Sequence, residues 1–282
     1  MSTPSLRVRR FLSSALYGEV LECDLPGLNE PIAVKCISLA QAAKARAEAQ
    51  PREIDNPIQE QRVVAMLLSN GGHRNVVQPH FQFVQGRRLY LVNELCGDGD
   101  LHSIVAARYN AALLFEEHEV LPLMRQILEG VLFLHETIGV AHRDLSLENV
   151  LLRQGVCKIT DFGLSTDSRA MCAGGRVGKE FYMAPEIVAG EEYDPTLADV
   201  WSLGIMWFMM LTGSPLVSLA SPTEKAFLSV IRYGVGAVIE IWGYSERISR
   251  NSISLLEKML QVQPSQRIPL SQVLAHPTFA VQ

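Results

Sequence analysis

The chain has 282 residues, 48% of them hydrophobic, which is ample for a real core and argues against disorder over most of its length. A net charge of −5 and a pI near 5.8 leave no basic footprint for nucleic acid or an anionic membrane surface.

The N-terminal stretch MSTPSLRVRRFLSSALYGEV lacks an apolar run followed by a small-residue cleavage site, so no secretory leader is expected. Between Arg7 and Ser38 the β-like runs VLEC and IAVKCI flank the turn residues PGLNEP and predict a strand hairpin. The Ala-rich, charged stretch 40–50 fits either a short exposed helix or an ordered loop. Asn56-Pro57 then supplies a cap and a first-turn proline for a helix whose apolar face carries Val63, Val64 and Leu67, and GGHRN ends it. VVQPHFQFV and RRLYLVNEL, joined at Gln85-Gly86, predict two further strands. Together these make a mostly antiparallel sheet with one helix against it.

After CGDGDL the pattern turns helical. Val120, Met124, Ile127, Val131 and Leu134 recur at intervals of 4, 3, 4 and 3, one stripe of a helix, with Pro122 expected in or near its first turn. The change of character at 96–100 is the expected domain boundary, dividing 1–95 from 96–282. LGIMWFMML at 203–211 is about half the ~20 residues that span a membrane and reads as a buried core helix. Cys23, Cys36, Cys96, Cys157 and Cys172 show neither a CxxC pair nor metal-ligand spacing, and read as free thiols in a reducing, intracellular, cytoplasmic setting.

Five motifs follow one another: IAVK at 32–35, HRDLSLEN at 142–149, DFG at 161–163, YMAPE at 182–186 and DVWSLG at 199–204. Asp144 and Asp161 stand 17 residues apart across the hairpin-like VLLRQGVCKIT. This order and spacing resemble the eukaryotic protein kinase family, Ser/Thr type, over roughly residues 10–280. The resemblance implies an α+β, two-lobed protein kinase fold: a small antiparallel β-sheet lobe plus the helix called αC, and a larger, mainly helical lobe. It also implies ATP, Mg²⁺ and a protein substrate.

By that resemblance Lys35 holds the α- and β-phosphates and Glu60 orients it. Asp144 accepts or orients the substrate hydroxyl proton, Asn149 and Asp161 hold Mg²⁺, and Gly163 lets the segment turn. His142 and Phe162, with Val64, form part of an apolar column coupling the lobes. Glu186 pairs with Arg267, and Asp199 accepts bonds from the catalytic-loop backbone. Counting along RRLYLVNELC makes Asn93 the gatekeeper, gives Glu94 and Cys96 the adenine-bonding backbones, and puts Asp100 at the ribose. Val20, Ala33 and Leu151 sandwich the ring. HPTF at 276–279 matches the usual end of such a domain, with no residues left for a regulatory tail.

Three departures matter. Counting back from Val20 and Gly18 puts Ser13 and Ala15 at the first two glycines of the phosphate-covering loop, with Tyr17 as the aromatic at its tip, which predicts weakened nucleotide binding. Second, the Lys expected in the catalytic loop is Ser146, and the Thr expected before the APE segment is Lys179. The two residue types are exchanged, so the Lys179 ammonium is expected to reach Ser146 and restore the charge from the opposite side. Third, Gly175 occupies the usual phosphoacceptor position, leaving Ser165, Thr166 and Ser168 nearer DFG for a phosphate that Arg143 could recruit. GGRVGKE at 174–180 imitates a Walker A loop but is one residue short and ends in Glu.

Lys35, Glu60, Asp144, Asn149 and Asp161 favour an active Ser/Thr kinase, while the poor glycine loop keeps a nucleotide-binding pseudokinase scaffold as the alternative. YMAPE, Asp199 and Arg267 disfavour a small-molecule kinase. Tyrosine specificity is disfavoured because the Arg that accompanies a Lys-less loop is missing at 146 and 148. Substrate identity and oligomeric state are not legible at this level.

Overall fold

The computed structural model describes residues 5–48 and 54–279. Strands β1 (Arg7–Ala15), β2 (Gly18–Asp24), β3 (Ile32–Ser38), β4 (Pro79–Gln85) and β5 (Arg88–Glu94) form one antiparallel sheet in the order β1-β2-β3-β5-β4. Ile32, Val34 and Cys36 of β3 pack toward Val92 and Cys23, while Ile37 joins Leu89 and Leu91 in a second cluster. Alternation along the strands thus builds two apolar layers.

The stretch that composition leaves open forms helix α1 (Leu39–Glu48), with Ala49 and Gln50 outside the described residues. Ala42 is buried with Ile37 and Leu89, so tertiary packing decides what an Ala-rich sequence merely permits. Helix α2 (Pro57–Ser69) begins as its sequence predicts: the Asn56 side chain accepts from the Ile58 N–H at 3.1 Å, Pro57 occupies the first turn, and Val63, Val64 and Leu67 are buried.

The larger part is mainly helical. Helices α3 (Leu101–Asn110) and α4 (Glu117–Phe133) lead into a wider π turn over Leu134–Ile138, closed by left-handed Gly139. The stripe from Val120 to Leu134 is buried, and Pro122 is the sixth residue of α4, just past the first turn in or near which it is expected. Short strands β6 (Val140–Ala141), β7 (Val150–Arg153), β8 (Val156–Ile159) and β9 (Thr166–Asp167) pair as β6–β9 and β7–β8.

After α5 (Pro185–Ala189), helix α6 (Pro195–Thr212) starts a turn before DVWSLG, capped by Asp194, and runs buried through Leu203–Leu211 to left-handed Gly213. Its apolar surface is covered by protein: helices α7 (Lys225–Ile241), α8 (Arg250–Met259) and α9 (Leu270–Leu274) share its core. No helix among the described residues is long and apolar enough to cross a membrane.

Candidate active site

Lys35 projects from β3, held in register by Val20 of β2 and Leu91 of β5. Its Nζ donates to Glu60 Oε1 at 2.8 Å and Oε2 at 2.9 Å, and to Asp161 Oδ1 at 3.1 Å. Burial alone would depress the ammonium, but Glu60 and Asp161 outweigh it and raise its pKa. Burial pushes the Glu60 carboxyl up to about 7, against the pull of Lys35. Asp161, despite its own burial, is held below the ordinary carboxylate range by Lys35.

The catalytic loop is anchored from below. Asp199, fully buried in α6, accepts from the His142 N–H at 2.7 Å and the Arg143 N–H at 2.8 Å, and lies 2.8 Å from His135 Nε2. Arg143 has φ +66 and Asp161 has φ +69, left-handed values that a non-glycine residue keeps only where its surroundings fix them. Gly163 lies in the turn expected of it, closed by the Ser165 N–H donating to the Phe162 carbonyl at 3.1 Å, while the left-handed backbone falls two residues earlier, at Asp161. The reason for glycine at 163 is steric: a Cβ there would lie 1.4 Å from Asp55 Oδ1.

Asp144, Ser146 and Lys179 form one cluster. Lys179 Nζ donates to Ser146 Oγ at 2.9 Å and to Asp144 Oδ2 at 3.0 Å, and its backbone N–H donates to Asp144 Oδ1 at 3.1 Å. Asn149 Nδ2 donates to Asp144 Oδ2 at 2.8 Å, which directs the amide carbonyl oxygen away from that carboxylate.

A cleft of about 690 Å³ opens between the sheet and the helical part. Val20, Ala33 and Leu151 contribute apolar wall, and Asn93, Glu94 and Cys96 line its far side. Lys35, Glu60 and Asp161, joined through the Lys35 ammonium, line the same cleft together with Asn149 and Asp100. Asp144, Ser146 and Lys179 are reached through Asn149 and lie beside this wall.

Residues 8–279 match the protein kinase domain family. The chain belongs to that family. Among its relatives are a serine/threonine-protein kinase cds1 from Schizosaccharomyces pombe, 32% identical over 86% of this chain and 50% of its own, and a testis-specific serine/threonine-protein kinase 5 from Mus musculus, 32% identical over 91% and 65%. Serine/threonine-protein kinase 33 from the same mouse is 25% identical over 94% of this chain and 52% of its own. The chain thus spans about half the length of several curated relatives it matches.

In this kinase domain the side chains of two cleft residues are already engaged. Glu94 turns its carboxylate to Lys158, Arg153 and the Gln78 N–H while its own N–H donates to the Gln78 carbonyl at 2.9 Å, and Asp100 caps α3 by accepting from the Ser103 N–H at 2.7 Å. Burial pushes the Cys96 thiol up to about 12, so it presents as a neutral group. Glu186 and Arg267 form a buried bidentate pair at 2.7 and 3.0 Å, and His142 meets Phe162 edge-on with centroids 5.6 Å apart. Val64 is grouped instead with Tyr17, Leu89 and Leu91 in the small-lobe core.

Leu16 and Tyr17 form the tip of the phosphate-covering hairpin, as expected for Tyr17: Leu16 is 68% exposed, while Tyr17 is buried with Ile37 and Val64. Gly18 survives because a Cβ there would meet the Cys36 carbonyl oxygen at 1.9 Å. Ser165 and Ser168 are committed, their hydroxyls donating to the Phe162 and His135 carbonyls. Asp55 and His135 were not singled out by sequence. His135 follows directly on the apolar stripe, a position that could have marked it, whereas Asp55 has no local signal because its partner at Gly163 is remote in the chain.

Proposed function

We propose that this kinase domain transfers the γ-phosphoryl group of ATP to Ser or Thr hydroxyls of protein substrates. The convergence of Lys35, Glu60 and Asp161 beside Asp144 and Asn149 carries the reading. Lys35 neutralises the α- and β-phosphates and is itself held by Glu60. Asp144 takes the substrate hydroxyl proton as the new O–P bond forms at the γ-phosphorus and the bond to the β,γ-bridging oxygen breaks, releasing ADP.

Two side-chain oxygen donors, from Asn149 and Asp161, suit Mg²⁺, which binds few protein ligands and completes its shell with phosphate and water. When bound, it neutralises charge on the phosphates. Lys179 supplies the charge that a catalytic-loop lysine would otherwise bring: it is oriented by Ser146 and faces the reacting hydroxyl beside Asp144. Glu148, which accepts from the Tyr182 hydroxyl at 3.2 Å, gives a weak preference for a basic residue N-terminal to the acceptor. The five unpaired cysteines fit a reducing, cytoplasmic setting.

The pseudokinase reading draws on Ser13 and Ala15 in the hairpin. A γ-labelled ATP autophosphorylation assay with Mg²⁺, run beside Asp161→Asn, separates the two. Incorporation by the wild type alone is expected, and none by either protein would leave the scaffold.

A further inference from the structure

Residues 55 and 56 tie together three parts of the cleft that are far apart in the chain. The Asn56 N–H donates to the Gly163 carbonyl at 2.9 Å. The Asp55 carboxylate lies on the bare face of Gly163, in the volume a Cβ would take. On its other side the Asp55 carbonyl accepts from the Tyr17 hydroxyl at 3.3 Å. Tyr17 belongs to the phosphate-covering hairpin, Gly163 follows Asp161, and both are thereby joined to the start of the helix that carries Glu60.

Asp161 needs such support. Its left-handed backbone is disfavoured for a non-glycine residue and persists only where neighbours over-determine it. Lys35 holds its side chain, while the backbone two residues on is held by Asn56 and covered by Asp55. A third carboxylate is also poorly placed electrostatically here: burial and the Asp161 charge raise the Asp55 pKa, and Lys35 offsets them in part.

We propose that Asp55 is a positioning residue for phosphoryl transfer: packed on Gly163, and with the adjoining Asn56–Gly163 bond, it keeps Asp161 turned toward Lys35 and pins the overlying hairpin through Tyr17. The kinetic half of this inference rests on the kinase reading above; the structural half does not.

Amide exchange on the full chain without nucleotide reads the structural half. Asp55→Ala is expected to speed exchange at Asn56 and over 161–165 by ~10-fold or more, while Asp55→Asn, equal in shape, keeps wild-type protection. In steady-state transfer to a peptide, Asp55→Ala lowers kcat on the order of 100-fold, the scale of a misplaced reacting group, and Asp55→Asn restores it. The KM for ATP stays within about threefold, as for an interaction realised in the transition state. Gly163→Ala drives the Asp55 side chain out and produces a similar loss, and adding Asp55→Gly to it costs nothing further. If Asp55→Ala does not fold, Asp55→Glu, which lengthens the side chain into Gly163, replaces it against Asp55→Asn.

Wild-type exchange and kcat in Asp55→Ala would overturn the proposal. So would Asp55→Asn as damaged as Asp55→Ala, which assigns charge instead of packing, or additive losses at 55 and 163. A wild type that transfers no phosphate removes the kinase reading, and the exchange comparison then decides the clamp alone.

Discussion

Lys179→Ala removes the ammonium that bridges Asp144 Oδ2 and Ser146 Oγ, at 3.0 and 2.9 Å, and little else. The bond from the Lys179 backbone N–H to Asp144 Oδ1 remains, as does the one from Asn149 Nδ2, so the carboxylate keeps its orientation. On the proposed reading, what disappears is a fixed positive charge beside Asp144, where the hydroxyl and the phosphate in flight would stand. Removing one preorganised donor of that kind lowers kcat by ~10²–10³, about 3–4 kcal/mol in the barrier. The folding side is small, because the Lys179 side chain is 38% exposed and such pairs contribute about 0–1 kcal/mol.

The assay is peptide phosphorylation with ATP varied at saturating Mg²⁺, alongside thermal unfolding. A kcat loss of ~10²–10³ with Tm within about 3 °C is expected. Ser146→Lys combined with Lys179→Thr returns the charge from the other side and should recover turnover to within ~10-fold of wild type. Unchanged turnover in Lys179→Ala would refute the exchange and leave Lys179 as a side chain of the substrate groove.

Four further expectations concern other parts of the domain. With Glu60 near 7, its carboxyl is neutral at lower pH and no longer ion-pairs with Lys35, so kcat/KM for ATP should fall as pH drops through about 7. Stability runs the other way. A carboxyl raised from 4.5 to about 7 on folding contributes stability that is full below 4.5 and lost as pH rises through 7. A rate profile flat between about pH 6 and 8 refutes this. Arg267→Ala strands Glu186, itself buried, and should cost about 3–5 kcal/mol in urea unfolding; a loss under about 1 would show the pair to be dispensable. Gly18→Ala drives a methyl into the Cys36 carbonyl, which is backbone and cannot swing aside, so unfolding should show a loss of about 1–3 kcal/mol. Ala15→Gly should instead tighten nucleotide binding severalfold in a titration.

Much of the site was legible because its parts are local words at definite intervals. The Asn56-Pro57 cap, the stripe from Val120 to Leu134 and the hairpin between Asn149 and Asp161 depend on neighbours within a few turns or on spacing along one loop, whereas the exchange of Ser146 with Lys179, 33 residues apart, was legible only against the family pattern. Pro122, expected in or near the first turn, is the sixth residue of α4, because a stripe defines a helical face more firmly than its first residue. For α1, composition allowed two answers, and the burial of Ala42 against Ile37 and Leu89 chose between them.

The amino-acid order by itself determined the family and most of the elements, and it supplied the side chains proposed to carry the chemistry, since apolar period, caps and motif spacing are read along the chain. Tertiary structure alone decided that Tyr17 is buried beneath its hairpin, that Asp161 holds a left-handed backbone, and that Asp55 claims the space beside Gly163. Those outcomes depend on packing between segments remote in sequence, where the strain at one residue is balanced by contacts that no local pattern encodes.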